Sequence, residues 1–420
     1  MAILTSPDRR MDERLSGAPA VKRRSLVAEW FAHPYADFYL VLVPGLLLLA
    51  LGLMEVSSAS SVLAYVSKQG DAYYFVKRQA LFLAVGGLAV FVIGKLSTRA
   101  LWLVSWVTLG VSVVLLLLVQ SPLGVTVNGN RNWVRFGTDL LQFQPSELTK
   151  FAIVLWGAAV FARKAQGGLL DDTRHLMTPF VPVALILIAL VVMQHDLGTA
   201  LLLGVIVIAM LWFAGARWTA MISMIAVVGV GVLTLVATSA NRMSRILGFL
   251  NQDADPFGTN HQPIRAVYAL ATGGWWGVGL GASRQKWGGL VEAHTDFILA
   301  VVGEELGLVG VLVVLALFAT MGYAGFRIAS RSTDRFLQWA AAGVTFWIML
   351  QALVNILVVF RLAPVLGVPL PFLSYGGSAL VSSLCGLGVL LACARREPEA
   401  LRLAALRDGP RVTAVLGGWR

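Results

Sequence analysis

Lys286, Glu292, His294, Asp296, Glu304 and Glu305 bring six ionisable groups up against one apolar run, which continues from Leu306 to Phe318. Carboxylates, imidazoles and amines are the groups that take up protons or hold charge in a reaction. At membrane depth such groups are costly and ordinarily face a cavity or a partner. Asp296 has the fewest purely structural explanations, a cap on the outer end of a helix being the alternative. For Glu304 and Glu305 the alternative is polar packing between helices. Asp296 and Glu304 are eight residues apart, about 12 Å of helical rise. Paired carboxylates at a glycosidic bond stand about 5–9.5 Å apart, so these two do not fit such a pair. Glu292 can approach Asp296 if a helix begins that early.

Three other constellations carry charge. Glu147 and Lys150 are three apart after Gln144-Pro145-Ser146, so on a helix they share a face, with Pro145 at its start. They read either as a neutralised pair anchoring a helix end or as a lysine facing an anionic substrate, with Arg131 and Arg135 just upstream reinforcing a phosphate site. His195-Asp196 interrupts two apolar runs, and Asp196 reads as the cap of the second. Arg361 to Ser378 holds Pro364, Pro369 and Pro371, then Ser374-Tyr375-Gly376-Gly377. Prolines forbid continuous helix there, and non-helical backbone at this depth should be buried in protein or line a cavity.

The elements that must position these residues are membrane spans. The chain has 420 residues, 58% of them hydrophobic and 13% charged, whereas soluble domains are roughly a quarter charged. The apolar excess must face something other than water. Ten apolar segments, at about 38–58, 79–95, 101–119, 147–163, 176–193, 197–214, 219–238, 295–325, 336–360 and 373–394, are each near the ~20 residues that cross a bilayer. This is an all-α polytopic membrane protein over 38–394, with a basic, flexible tail over 1–37 and a second tail over 395–420. Most of its 33 Lys and Arg fall on the tail side of the spans, which places both termini in the cytoplasm. The net charge of +11 is thereby accounted for without nucleic acid, since no basic face interleaves with aromatics. Cys385 and Cys393 lie inside the last apolar run and read as core. The long outer loop 239–294 has Ile264, Val267, Tyr268 and Ala271 at helical spacing, and Trp275-Trp276 after them. That is the pattern of helices lying in the membrane interface.

Gln144-Pro-Ser-Glu-Leu-Thr-Lys150, Gly277-Val-Gly-Leu-Gly-Ala-Ser-Arg284, Glu292-Ala-His-Thr-Asp-Phe-Ile298, Gly303-Glu-Glu-Leu-Gly307 and Pro371-Phe-Leu-Ser-Tyr-Gly-Gly-Ser378 resemble the SEDS family (shape, elongation, division and sporulation), and its division member more than its elongation member. The resemblance covers roughly 38–394. It implies a ten-span peptidoglycan glycosyltransferase that polymerises lipid II at the division septum of a bacterial cell membrane. The implied partners are a class B penicillin-binding protein, which is the transpeptidase, and other membrane proteins of the divisome. The family's essential aspartate falls on Asp296 and its lysine on Lys150. On that reading Asp296 is the general base for the acceptor sugar hydroxyl, and undecaprenyl pyrophosphate leaves the growing lipid-linked glycan. Lys150, with some of Arg131, Arg135, Arg245, Arg265 and Lys286, would hold pyrophosphate charge, with Glu147, His294, Ser374 and Tyr375 around the substrate. A divalent cation, Mg or Mn, could assist, although no all-carboxylate cage is visible. One departure is that Leu357 and Arg361 stand where the family usually has small residues, often glycine. The competing classes are a lipid II flippase, which needs polar groups through the membrane depth, and a non-catalytic division scaffold.

Overall fold

The computed structural model describes residues 33–407, apart from 68–69, 128–129, 138–141, 239, 252–257, 259, 288 and 291. The two tails expected from the sequence lie largely outside the described residues. The chain runs α1 (Ala36–Ser67), α2 (Tyr74–Lys95) and α3 (Thr98–Leu118). A small antiparallel sheet follows, with β1 (Gly124–Val127), β2 (Asn130–Arg135) and β3 (Gln142–Phe143) in that order. Then come α4 (Pro145–Gln166), the short α5 (Thr173–Met177) leading into α6 (Phe180–Met193), α7 (Leu197–Phe213) and α8 (Trp218–Ala237). The last group is α9 (Ala240–Leu250), α10 (His261–Gly273), α11 (Ile298–Arg331), α12 (Arg335–Val359), α13 (Gly377–Ala394) and α14 (Pro398–Arg407).

Eight of the described stretches are long and apolar enough to cross a membrane: α1, α2, α3, the α5–α6 run, α8, α11, α12 and α13. Helices α4 and α7 complete the ten expected spans. α7 has 17 residues, about 26 Å of rise. α4 has 22 residues, but Glu147, Lys150, Arg163 and Lys164 dilute its hydropathy. Alternating directions gather the starts of α1, α3, α8 and α12 with the ends of α4, α7, α11 and α13 at one end of the bundle, which also holds both described chain ends. Ion pairs from Arg331 to Asp37 and Glu397 lace that termini end together. The opposite, loop end carries the sheet, α9, α10 and the 360–376 segment.

Helix α4 is the axis. Every residue from Thr149 to Ala162 is buried, and it packs against α3, α7, α12 and α13, as a helix enclosed on all sides must. Helix α8 is the reverse: Ile222, Val230 and Leu233 are all more than half exposed, an apolar surface suited to lipid. The helices expected in 239–294 are present as α9 and α10. The sheet was not expected. Its sequence signal is Asn128-Gly129 directly after the β-branched run Val125-Thr126-Val127 and before Trp133-Val134, the pattern of a tight hairpin.

The span read as 295–325 is instead α11, and it is broken. Gly307 has φ 70° and ψ −168°, a region open essentially to glycine alone. The break lets Gly274 and Trp275 carbonyls accept from Leu308 and Val309 N–H, docking the 274–279 turn onto α11. A Cβ at Gly307 would lie 2.4 Å from the Gly277 nitrogen. Gly307→Ala is therefore expected to destabilise the fold by about 1–3 kcal/mol from backbone strain alone, read as a lowered unfolding midpoint in detergent. A wild-type midpoint would show that this break is not fixed by glycine.

Candidate functional site

Asp296 lies in the turn that precedes α11. Glu292 opens that turn at φ 60°, with its carbonyl accepting from Thr295 and Phe297 N–H and its carboxylate from the Thr295 hydroxyl at 2.8 Å. The Asp296 side chain does not cap α11; the N-cap residue is Phe297, without a side-chain bond. Its carboxylate points at Gly367, where a Cβ would come within 3.7 Å of Oδ2. Gly367 itself sits at φ 69°, so a side chain there would strain the segment. Asp296 keeps some exposed surface although protein surrounds it. Burial pushes its pKa up to about 7, with Glu292, Asp196 and Glu147 adding negative charge and Arg245 opposing them. Asp296 is thus a carboxylate poised near neutrality, as a general base should be.

The broken 360–376 segment is held by two amides one turn apart on α12. Asn355 Nδ2 donates to the Asp296 carbonyl and to the Val368 carbonyl, each at 2.7 Å. Gln351 Nε2 donates to the Pro369 carbonyl at 3.0 Å, while its Oε1 accepts from Lys150 Nζ at 2.7 Å and from Trp347 Nε1 at 3.0 Å. Consecutive carbonyls of the segment are thereby tied to Asp296 on one side and to Lys150 on the other. Lys150 is fully buried and ion-paired with Glu147 at 2.8 Å, the neutralised pair that the spacing allowed. Glu147 and Lys150 lie at the same end of the bundle as Asp296, and Glu147 is close enough to act on its charge. Sequence reasoning missed Gln351 and Asn355. The available signal was two amide side chains at i, i+4 inside an apolar span.

Beside this core is a cleft of about 550 Å³ between the start of α7, α8, α9 and residues 364–366. Val232, Val236 and Leu201 give it apolar walls, and Arg242 and Arg245 give it charge. Arg245 Nη1 donates to the Val365 carbonyl at 3.4 Å and Arg242 donates to the His195 and Leu235 carbonyls. Asp196 forms part of the wall and is engaged as a hub. It caps α7 through Thr199 N–H at 3.0 Å and accepts from Asn132 at 3.2 Å and Gln144 at 3.0 Å.

The other candidates are dispersed around this centre. Arg131 donates to the Ser121 carbonyl at 2.8 Å and braces the sheet, where Arg135 also sits. Arg265 projects from α10. Lys286 is engaged by Glu305 at 2.8 Å, Ser58 at 2.7 Å and the Gly281 carbonyl at 2.8 Å. Glu304 accepts from the Ser283 hydroxyl at 2.5 Å and from Arg284 N–H at 2.9 Å. Both glutamates therefore fasten the 279–286 loop to α11. His294 is buried among the rings of Phe75 and Tyr375, at centroid distances of 5.0 and 5.4 Å. Burial lowers its pKa against the opposing charge of Glu292, so it stands neutral at pH 7. The His294 carbonyl accepts from Tyr375 N–H at 2.9 Å, and burial raises the Tyr375 phenol to about 12 with Arg78 opposing. Ser374 Oγ accepts from Leu370 N–H at 2.8 Å and closes the turn.

Among the described residues, the non-glycine positions with left-handed φ are His195, Glu292, Arg361 and Phe372, at 58–64°. All four lie at the loop end, beside Asp196, Asp296, the end of α12 and Ser374. Each costs about 1–3 kcal/mol, and such strain collects where geometry serves function. Arg361 thus holds a conformation that glycine adopts freely. Among the described residues no three His, Cys, Asp or Glu converge on a point. The donor set suits only a largely hydrated Mg²⁺ or Mn²⁺ held by substrate phosphates, not a protein cage.

Residues 38–399 match a family model described as cell cycle protein, of FtsW, RodA and SpoVE. A probable peptidoglycan glycosyltransferase FtsW of Mycobacterium tuberculosis is 38% identical over 398 residues, covering 94% of this chain and 75% of the relative. Stage V sporulation protein E of Bacillus subtilis is 38% identical over 363 residues, covering 86% and 97%. A solved chain, from work on structural coordination of polymerization and crosslinking by a peptidoglycan synthase complex, superposes with a TM-score of 0.67 at 28% identity, covering 85% of this chain and 97% of its own.

Proposed function

The chain belongs to the FtsW, RodA and SpoVE family of cell cycle proteins, and on that premise we propose that it is a peptidoglycan glycosyltransferase joining lipid II units into glycan at the division septum. One observation carries the reading. A carboxylate with a pKa of about 7 stands beside an apolar-walled, arginine-bearing cleft at one end of a membrane bundle. That end is the outer one if the Lys- and Arg-rich termini end is cytoplasmic. A polyprenyl tail can then stay in lipid against α8 while its headgroup reaches Asp296.

In the proposed step, the sugar hydroxyl oxygen of the acceptor lipid II attacks the anomeric carbon of the lipid-linked donor. The bond from that carbon to pyrophosphate breaks, undecaprenyl pyrophosphate leaves with the electron pair, and Asp296 takes the hydroxyl proton. Arg245, with Arg242 behind it, meets the leaving charge. Lys150 acts differently from a direct phosphate ligand: through Gln351 it fixes the segment against which Asp296 is placed. A divalent cation, if used, would supply neutralising charge to the leaving pyrophosphate, with Asp196 the carboxylate in the cleft wall that would help hold it. Neutralising the site's other charges has a readable consequence. Asp296 accepts a proton only as carboxylate, so kcat/KM should rise with pH through a midpoint near 7 and stay level above it. Arg245→Gln should move that midpoint up and Glu292→Gln should move it down. A pH-rate profile with no inflection, or one unmoved by either variant, would contradict the assignment.

The partner on this reading is a class B penicillin-binding transpeptidase, alongside other divisome membrane proteins. The solved relative's association with both polymerization and crosslinking supports it. The test is full-length protein in liposomes with lipid II, with and without that transpeptidase. Glycan strands resolved on a gel are expected. Lipid II crossing the bilayer with no glycan formed would instead assign a flippase, and neither activity would leave a scaffold.

A further inference from the structure

At the termini end, far along the bundle from Asp296, the ends of α3, α4, α7, α8 and α12 enclose a basin of about 1610 Å³. Arg99, Arg163, Arg217 and Arg335 come to it from four separate segments, against Asp171 and Asp334. Asp334 is engaged in capping α12 through the N–H groups of Phe336 and Leu337. Arg335 is held over the Trp339 ring and by Gln338. The guanidinium groups of Arg99, Arg163 and Arg217 make no hydrogen bond or ion pair to any other described residue. Arg327 and Arg331, also at this end, instead pair with Asp37, and Arg396 donates to the carbonyls of Ala392 and Leu96. A bias of charge for topology would need cations anywhere at this end, not their convergence with free donors on one hollow. The N-terminus of α8 opens there without a side-chain cap, adding positive potential. Trp102, Phe213 and Trp339 line the basin, as aromatic residues do at headgroup depth.

We propose that this basin binds the phosphate-bearing headgroup of an anionic phospholipid from the leaflet at the termini end. Three free guanidiniums match phosphate oxygens bidentately, and the aromatic walls take the glycerol and first methylenes. Such a bound lipid would knit α3, α4, α8 and α12 together independently of the polymerising site.

The test is native mass spectrometry of the full chain released from nanodiscs of equal phosphatidylglycerol and phosphatidylcholine. The wild type should retain phosphatidylglycerol over phosphatidylcholine, and R99Q/R163Q/R217Q should lose that preference by on the order of 100-fold, three cations at about 1 kcal/mol each. R99K/R163K/R217K, which keeps the charge and controls for folding, should retain most of it, and excess inorganic phosphate should not displace the lipid. Equal retention by wild type and the Gln variant would overturn the proposal. So would full displacement by inorganic phosphate, which assigns a free-anion site, or by a polyglutamate peptide, which assigns the basin to an acidic protein segment.

Discussion

Asp296→Asn should lower glycan polymerisation by about 10²–10⁴-fold, the contribution of a positioned general base, without loss of fold. Asparagine keeps the shape of the side chain but cannot accept the hydroxyl proton. The bond that fixes this turn to α12 uses the Asp296 main-chain carbonyl and Asn355, so the substitution leaves it intact. Removing one negative charge from the neighbourhood of Glu292, Asp196 and Glu147 relieves repulsion. The variant should therefore unfold at the wild-type midpoint or above it. That combination separates a chemical role from a structural one, because losing a structural acid would lower both activity and stability. Asp296→Glu should recover little, since an added methylene displaces the carboxylate from the position the turn gives it, and a misplacement of about 1 Å can cost on the order of 10²-fold.

Lys150→Met should be the most destabilising single change at the site. It leaves the Glu147 carboxylate buried without its cation and Gln351 Oε1 without its strongest donor. Breaking a buried pair from one side costs about 3–5 kcal/mol, whereas replacing both partners is often close to neutral. E147Q/K150M should therefore recover most of the stability that K150M loses, measured as chemical unfolding in detergent. Polymerisation should recover less, because the tie from α4 through Gln351 to Pro369 remains weakened. If K150M unfolds as the wild type does, the pair is not what holds this segment. If E147Q/K150M polymerises at the full rate, Lys150 does not position it.

The span pattern was legible because hydropathy is local, and the spans of α1, α3, α8 and α12 could be read to within a few residues at most ends. The break in α11 was not, because a glycine inside an apolar run reads as neutral until the 274–279 turn is seen docked on it. Asp296 stood out because a carboxylate at a membrane boundary demands an explanation. Glu304 and Glu305 read as separate from it by helical rise, and the structure engages both with the 279–286 loop. The fate of Lys286 was illegible for a different reason. Its partner Glu305 lies 19 residues on, and only the folding back of the 279–286 loop brings them together. The same holds for Lys150: its spacing to Glu147 announced the pair, but Gln351 lies 201 residues away. Charges that seemed available to a phosphate were mostly engaged by distant parts of the chain, leaving Arg245 and Arg242 at the cleft.

The central claim is that Asp296 drives transfer of the lipid-linked sugar by deprotonating the acceptor. Release of undecaprenyl pyrophosphate from lipid II in liposomes, measured in one turnover beside lipid II binding, tests it most directly. The wild type with its transpeptidase should release the pyrophosphate with a rate that rises through pH 7, and Asp296→Asn should bind lipid II normally yet release about 10²-fold less or lower still. Release by Asp296→Asn at the wild-type rate would contradict the account.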